Sequence, residues 1–157
     1  MPKKKPYKRE IAAGGVVFKK EKGKLLWLIV QPKRNDSSKP INWRLAKGII
    51  EEGESTEATA RREVEEEADI KVKVLDKIGK TTYFYSFKGK RIFKIIIFYL
   101  MQYQGKIGNG IDGVEIEKIQ WLPYQEAYQK LTFDSEKKIL KQAQEILKKR
   151  KKQQKLL

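Results

Sequence analysis

The chain has 157 residues, with 36 Lys and Arg against 20 Asp and Glu, so its formal net charge is +16. A chain of this length buries roughly two-thirds of its unfolded surface, so we expect one domain around one core. It contains no Cys and no His. This composition excludes disulfide frameworks, zinc fingers, thiol nucleophiles and histidine bases, and leaves the chemistry of carboxylates, Lys, Tyr and hydroxyl groups.

Positive charge is concentrated at the two ends of the chain. Residues 1–9 carry five basic groups and no acid, residues 137–157 carry nine basic groups and one acid, and residues 51–69 carry nine acids against two arginines. We expect a basic N-terminal tail over 1–9, a globular domain over 10–147 and a basic C-terminal tail over 148–157. The start of the chain lacks the apolar stretch of a signal peptide and no run is long enough to span a membrane, so we expect a cytoplasmic protein with no membrane partner.

The predicted elements alternate between strands and helices. Apolar and β-branched runs bounded by turn residues predict strands over residues 11–18, 24–31, 71–87, 90–103 and 114–121. A helix is predicted from the N-cap Ser55 to Ala68, because the segment is rich in helix formers and contains no Gly or Pro. Helical spacing of apolar residues predicts further helices after Pro123 and over the C-terminal segment.

Three carboxylates share one face of the helix predicted to begin at Ser55. At about 100° per residue, Glu63, Glu66 and Glu67 cluster on the side away from an apolar stripe that includes Val64. Like charges at this spacing destabilise an isolated helix by about 0.2–0.5 kcal/mol, and a hard divalent cation such as Mg²⁺ would relieve the repulsion. The alternative interpretation is a solvated, glutamate-rich helix face of the kind found in proteins rich in ion pairs.

The segment GIIEEGESTEATARREVEEEADI, residues 48–70, closely resembles the Nudix box. That motif is Gly, five residues, Glu, seven residues, Arg-Glu, an aliphatic residue, any residue, Glu-Glu, any residue, Gly and an aliphatic residue. The lead-in WRLAKG resembles the family's Trp-x-Leu-Pro-Lys-Gly, with Ala46 in place of the proline, and AAGGVVF and EIEKIQWLPYQEA resemble flanking segments. The positions that match the box are Gly48, Glu54, Arg62, Glu63, Val64, Glu66, Glu67 and Ile70.

This resemblance covers roughly residues 10–147 and implies a fold, a cofactor and an activity. The fold is an α+β, Nudix-type α/β/α sandwich with a mixed β-sheet. The activity is hydrolysis of a phosphoanhydride bond in a nucleoside diphosphate-linked substrate, with Mg²⁺ or Mn²⁺ as the cofactor. Because the box does not specify the group attached to the diphosphate, the substrate has to be inferred from other residues.

The resemblance also implies roles for individual residues. Glu66 and Glu67 would be the principal metal ligands, Glu63 a further ligand or the group that orients or deprotonates the attacking water, and the backbone carbonyl of Lys47 an additional ligand. Gly48, Glu54 and Arg62 would be structural, with Arg62 holding a carboxylate and fixing the loop before the helix.

A further catalytic carboxylate is expected before the late tryptophan, Trp121. Glu115 is the first candidate, Asp112 the second and Glu117 the third, and each could equally be a surface acid.

Asp69 stands where the Nudix box has Gly. That glycine adopts a left-handed conformation at the end of the helix, and Asp accepts this conformation better than most residues. We therefore expect the carboxylate geometry to be intact, and we expect Asp69→Gly to raise the melting temperature slightly.

The segment TTYFYSFKGKRIFKIIIFYL carries candidates for substrate binding. Tyr83, Tyr85 and Phe87 fall on one face of a strand, and a cluster of cations follows, a combination that could stack a base and hold a polyphosphate. Alternatively, the aromatic side chains are core and the cations are a hairpin tip. Phe133 or Tyr124 could stack a second base. The cations are Lys88, Lys90, Arg91 and Lys94.

These features resemble the dinucleoside polyphosphate hydrolases of the family, which convert diadenosine tetraphosphate to ATP and AMP. Two alternatives stay within the family: a pyrophosphatase for ordinary or oxidised nucleoside triphosphates, and an RNA 5′ pyrophosphohydrolase that binds RNA through the basic tails. A third alternative is a catalytically inactive nucleotide- or RNA-binding module, which the intact glutamates of the box argue against. The sequence is compatible with a monomer or a homodimer.

Overall fold

The computed structural model describes residues 6–111 and 115–156 of the chain. In this part of the chain, six strands form one sheet and three helices pack on it. The elements in chain order are β1 (Lys8–Glu21), β2 (Lys24–Pro32), β3 (Ala46–Ile49), α1 (Thr56–Ala68), β4 (Ile70–Phe87), β5 (Lys90–Lys106), β6 (Ile116–Leu122), α2 (Tyr124–Lys130) and α3 (Asp134–Leu156).

The sheet is mixed and has an opening beside its central strand. Strands run in the order β4-β5-β1-β2-β6, with β1 and β5 parallel and the other pairs antiparallel. One edge of β1 is paired with β5, so its other edge is shared by β3, over residues 12–15, and by β2, over residues 18–21. Strands β2 and β3 therefore separate from each other along β1, and the functional residues gather at this fork.

Alternate residues of the strands pack on opposite faces of the sheet. On β1, Ala12 and Val16 belong to the core cluster that includes α3, whereas Ala13 and Val17 belong to the cluster that includes α1. This period of two is what a strand buried on both faces requires. The predicted α/β/α sandwich with a mixed sheet is confirmed.

Helix α1 begins as the sequence predicts. Ser55 is its N-cap, and the Ser55 hydroxyl accepts a hydrogen bond of 3.1 Å from the N–H of Ala58. At the other end, Asp69 has φ of 56°, which confirms the expected left-handed conformation.

The carboxylate of Asp69 has a role that the sequence did not reveal. It accepts hydrogen bonds from the backbone N–H groups of Gly108, Asn109 and Gly110, at 3.2, 3.1 and 2.8 Å. Asp69 therefore anchors the loop after β5 to the end of α1. Since glycine would lose all three hydrogen bonds, these contacts oppose the rise in melting temperature expected for Asp69→Gly, and the structure predicts a fall instead.

Other boundaries differ from the sequence prediction. Strand β3 was not predicted, because its four residues are too few to show an alternating pattern. Helix α3 continues to Leu156, so the expected C-terminal tail over 148–157 is helical as far as the structure describes it, and β1 begins at Lys8 inside the expected N-terminal tail. No helix within 6–111 or 115–156 combines the length and the apolar composition needed to cross a bilayer.

Candidate functional site

The carboxylates of α1 face strand β3. Gly48, on β3, lies directly against Glu63, and a Cβ atom at position 48 would coincide with the Glu63 carboxylate. A side chain at position 48 would therefore displace the Glu63 carboxylate from its position, and Gly48 has no unusual backbone angle. Glu67, one turn further along α1, is only 4% exposed.

Three carboxylates, two from α1 and one from the residue before β6, lie close together at the fork in the sheet. Ligand oxygens of Glu63, Glu67 and Glu115 all lie within 4.8 Å of one another. Glu115, the first candidate for the additional carboxylate, thus lies where a third ligand is needed. We call these three residues the carboxylate cluster.

The other candidate acids are placed differently. The Glu66 side chain is 61% exposed and lies outside the carboxylate cluster, so its role as a metal ligand stays a prediction. Glu117 lines a separate surface depression with Arg34 and Lys118. Asp112, the second candidate, lies outside the described residues.

Arg62 connects the carboxylate cluster to the loop before α1. Its guanidinium donates to both oxygens of Glu54, at 2.7 and 3.0 Å, and to Glu63 at 2.9 Å. It also donates to Glu66 at 3.3 Å and to the carbonyl of Ile49 at 3.3 Å. The predicted contact of Arg62 with a carboxylate is confirmed, and the geometry fits the structural role expected for Arg62 and Glu54.

Arg44 holds Glu67 in a fork-shaped ion pair that the sequence analysis missed. The two guanidinium nitrogens lie 3.3 and 2.9 Å from the two carboxylate oxygens, and the Lys47 N–H donates to Glu67 at 3.0 Å. Arg44 occupies the variable position of the lead-in WRLAKG, so no motif singled it out. Its effect is to fix the orientation of a buried carboxylate.

Burial raises the pKa of Glu63 to about 7, and repulsion from Glu67 and Glu66 adds to this, whereas Arg62 opposes it. Burial thus disfavours the charged form of Glu63 more strongly than Arg62 stabilises it. Every side-chain atom that the cluster offers as a metal ligand is a carboxylate oxygen, the ligand type that suits Mg²⁺ and Mn²⁺. The residues present therefore fit the cofactor that the sequence implies.

A second buried ion pair lies beside the carboxylate cluster. The ammonium group of Lys47 is 3.7 Å from Glu136 on α3, and Glu136 also accepts a hydrogen bond of 2.9 Å from the N–H of Leu45. Burial lowers the pKa of Lys47 and raises the pKa of Glu136, in each case against the attraction between the two groups. The expected ligation by the Lys47 carbonyl stays a prediction. What the structure adds is that the Lys47 side chain reaches across the fork towards α3.

Two tyrosines of β4 extend this region along the sheet. The ring centroids of Tyr83 and Tyr85 are 6.0 Å apart, and the Lys47 ammonium lies 6.0 Å from the Tyr83 ring. Glu10 of β1 links β4 to β5, because it accepts a hydrogen bond from the Tyr85 hydroxyl at 2.9 Å and pairs with the Lys94 ammonium at 3.1 Å. Lys47, Tyr83, Tyr85 and Lys94 form what we call the aromatic-cationic patch.

The other cations predicted to bind substrate lie outside the aromatic-cationic patch. Arg91 lies over the ring of Phe84, 4.4 Å from its centroid, on the opposite face of the hairpin from Tyr83, and its role as a substrate contact stays a prediction. Lys88 lies over Phe87 at the hairpin tip and Lys90 is exposed there. Both remain predictions as substrate contacts.

The two candidates for stacking a second base, Tyr124 and Phe133, lie in different environments. Tyr124 is partly buried and packs against Trp27 and Tyr128 at the edge of the core cluster, and its role in stacking stays a prediction. Phe133 is 46% exposed and immediately precedes α3, less than one turn before Glu136. Its role stays a prediction.

The sequence matches the model of the NUDIX domain over residues 8–143. The chain belongs to the Nudix family of hydrolases. This family membership confirms the resemblance to the Nudix family that the sequence analysis identified, and the match includes residues 48–70.

Individual proteins similar to the chain agree with this assignment. A Mycobacterium tuberculosis protein that carries the name mutator protein MutT4 is 34% identical over 114 residues, which is 73% of this chain but 46% of that protein, so the chain spans less than half of its length. A crystal structure of a C. elegans Ap4A hydrolase binary complex matches with a TM-score of 0.66 and 24% identity, covering 88% of this chain and 97% of that one. A NUDIX hydrolase from Nitrosomonas europaea matches with a TM-score of 0.68 and 16% identity, covering 86% and 88%. At these identities the two structures show the fold alone.

Proposed function

We propose that the chain hydrolyses a phosphoanhydride bond of nucleotides with Mg²⁺ or Mn²⁺, and that dinucleoside polyphosphates are its preferred substrates. One observation carries this proposal: Lys47 links the carboxylate cluster to the aromatic-cationic patch, because its backbone N–H donates to Glu67 at 3.0 Å and its ammonium group lies 6.0 Å from the Tyr83 ring. A metal site alone would suit many Nudix substrates, whereas the adjacent rings and ammonium groups suit a base followed by a chain of phosphates.

Glu63, Glu67 and Glu115 would hold the metal ions. When bound, these ions neutralise charge on the phosphate oxygens and lower the pKa of a coordinated water. The chain's own residues prepare this site: Arg62 orients Glu63, and Arg44 orients Glu67.

Lys47 and Lys94 would bind the part of the phosphate chain that lies beyond the metal site. Their ammonium groups are already fixed by Glu136 and Glu10, at 3.7 and 3.1 Å, so they lose little freedom when a phosphate arrives. Tyr83, which is 42% exposed, offers its ring as a platform for a base. Phe133 at the start of α3 would stack the second base of a dinucleotide.

The test is product analysis by ion-exchange chromatography. The purified chain is incubated with Mg²⁺ and, separately, with diadenosine tetraphosphate, with nucleoside triphosphates including an oxidised guanine form, and with 5′-triphosphorylated RNA. Formation of ATP and AMP from the dinucleotide, at least tenfold faster than pyrophosphate release from any triphosphate, would support the proposal. Tyr83→Ala should then raise KM for the dinucleotide far more than it lowers kcat.

A second candidate is a nucleoside triphosphate pyrophosphatase. The observation that favours it is the 34% identity to a protein named as a mutator protein. Rapid pyrophosphate release from triphosphates in the same assay, with slow dinucleotide cleavage, would support this candidate and contradict the preferred substrate. Hydrolysis of none of these substrates by folded protein would contradict both.

A further inference from the structure

A groove of about 460 Å³ lies between one end of the sheet and the C-terminal half of α3. Its walls are strongly basic, and no carboxylate lines it among the described residues. Its floor is apolar and includes Leu25 and Leu75. We call it the basic groove, and its cations are Lys19, Lys20, Lys73, Arg150 and Lys151.

The positive charge of the basic groove is only partly balanced. Lys19 lies 3.7 Å from the exposed Glu21, and Arg150 pairs with Asp76 at 2.9 Å. In the described part of the chain, Lys20, Lys73 and Lys151 have no carboxylate at ion-pair distance. Burial lowers the pKa of Lys151, and repulsion from Lys20 and Lys155 adds to this effect. An anion bound between the two walls would relieve the repulsion.

The row of cations is longer than a single phosphate requires. Lys151 lines the groove, and Lys148 and Lys155 lie beyond its lining at helical spacing on the same side of α3, so the three lysines span about 10 Å at 1.5 Å per residue. A polyanion with repeated phosphates matches such a row better than a free phosphate does. Apolar and aromatic side chains, including Leu25, Leu75 and Tyr103, also line the groove, and they can contact the unpaired bases of a single strand but not the stacked base pairs of a duplex.

The basic groove is remote from the hydrolytic site. Glu136, which holds Lys47, lies in the first turn of α3, and Lys151 lies fifteen residues later, about 22 Å along the helix. A ligand in the groove would therefore leave the carboxylate cluster accessible.

We propose that the basic groove binds single-stranded nucleic acid through its phosphate groups. Lys20 and Lys73 hold the strand from the side of the sheet, and Lys151 and Arg150 hold it from the side of the helix. This binding does not depend on the proposed hydrolysis, because it uses none of the residues at the fork of the sheet.

The experiment uses a fluorescently labelled RNA 12-mer with a 5′ hydroxyl, in EDTA, so that the hydrolytic site is not engaged. Fluorescence anisotropy gives its affinity between 50 and 200 mM salt for three proteins: the wild type, Lys20→Gln/Lys151→Gln, and the control Lys138→Gln/Lys141→Gln. The control removes the same charge from exposed positions in the first half of α3. Thermal denaturation establishes that both variants are folded.

We expect the groove variant to bind the RNA about tenfold more weakly than the wild type, and the slope of log K against log salt to fall by about 1.4, corresponding to two lost phosphate contacts. The control should keep both the affinity and the slope. Equal losses of RNA affinity in the two variants would show that binding depends only on the total charge of the protein, and would overturn the proposal. Absence of RNA binding by the wild type, or equal affinity for a blunt duplex, would also overturn it. Displacement of the RNA by an equal concentration of inorganic tripolyphosphate would assign the groove to small polyphosphates instead.

Discussion

Helices α1 and α3 cover opposite faces of one sheet with similar apolar stripes, but they organise charge in different ways. On α1, carboxylates predominate, and neighbouring arginines fix two of them: Arg62 holds Glu63 and Arg44 holds Glu67. The C-terminal half of α3 carries mainly cations, and Arg150 with Asp76 is the ion pair found there in the described residues. The first helix therefore presents positioned anions, and the second presents unbalanced cations.

This difference shows why the net charge alone is a poor guide to function. The charge of +16 suggests a nucleic-acid-binding protein, yet the proposed metal site is built from glutamates. Charge that neighbours hold in place can form a catalytic site, because its groups need little reorganisation on binding. Charge without such partners produces long-range attraction that salt screens. The predictions below test whether the two helices differ in this way.

The largest effect is expected on α1. Glu67→Gln should lower kcat for the proposed substrate by about three powers of ten, since metal-assisted charge stabilisation supplies several kcal/mol. Glu57→Gln, an exposed position in the first turn of the same helix, is the matched control and should keep nearly normal activity. Near-normal turnover by Glu67→Gln would contradict the role proposed for Glu67 in holding the metal ions.

The next effect is expected at the start of α3. Glu136→Ala should lower the free energy of unfolding by about 3 kcal/mol, because it leaves the Lys47 ammonium and the Leu45 N–H without their buried partner. Glu136→Gln keeps an acceptor for Leu45 and should lose less. Urea denaturation measures both, with the exposed Glu145→Ala as control. Equal stability of the alanine variants would contradict the buried pairing.

A smaller effect is expected where α1 ends. Asp69→Gly relieves about 1 kcal/mol of left-handed strain but removes three hydrogen bonds worth about 0.5–1.5 kcal/mol each. The net loss of about 2 kcal/mol should therefore lower the melting temperature by about 4–8 °C. Asp69→Asn, which keeps one acceptor oxygen, should have a melting temperature between those of the wild type and Asp69→Gly in thermal denaturation. A rise for Asp69→Gly would restore the expectation based on the Nudix box.

The smallest effect concerns the loop before α1 and depends on pH. Hydrogen bonds from Arg62 and from the Glu51 N–H lower the pKa of Glu54 to about 2. Since the unfolded pKa is about 4.3, the stabilisation is complete above that pH and is lost as the pH falls towards about 2. The difference in melting temperature between wild type and Glu54→Gln should be constant above about pH 5 and shrink below about pH 4. A constant difference down to the lowest pH would contradict the assigned role of Arg62.

Much of the fold could be predicted from the sequence because its signals are local. The α1 boundaries follow from Ser55 and from the run of helix formers, and the long strands follow from their apolar runs. Strand β3 and Asp69 could not be predicted in this way. The pairing of β3 with β1 and the anchoring of residues 108–110 by Asp69 both depend on contacts between segments distant in the chain.

The same limit applies to the site. The spacing of Glu63 and Glu67 placed them on one face of α1, and the resemblance pointed to Glu115. Arg44 and Glu136 carried no signal, since an arginine in a loop and a glutamate in a polar helix are usually solvated. Their roles follow from burial beside Glu67 and Lys47, which only the folded chain reveals.

The most direct test of the carboxylate cluster is a Mn²⁺ titration without substrate, in which electron paramagnetic resonance measures the free ion. The proteins are the wild type, Glu67→Gln, Glu115→Gln and the control Glu57→Gln. We predict that the first two variants bind Mn²⁺ at least about tenfold more weakly than the wild type, and that the control binds it equally well. Unchanged Mn²⁺ affinity in both Glu67→Gln and Glu115→Gln would contradict the assignment of a metal site to these residues.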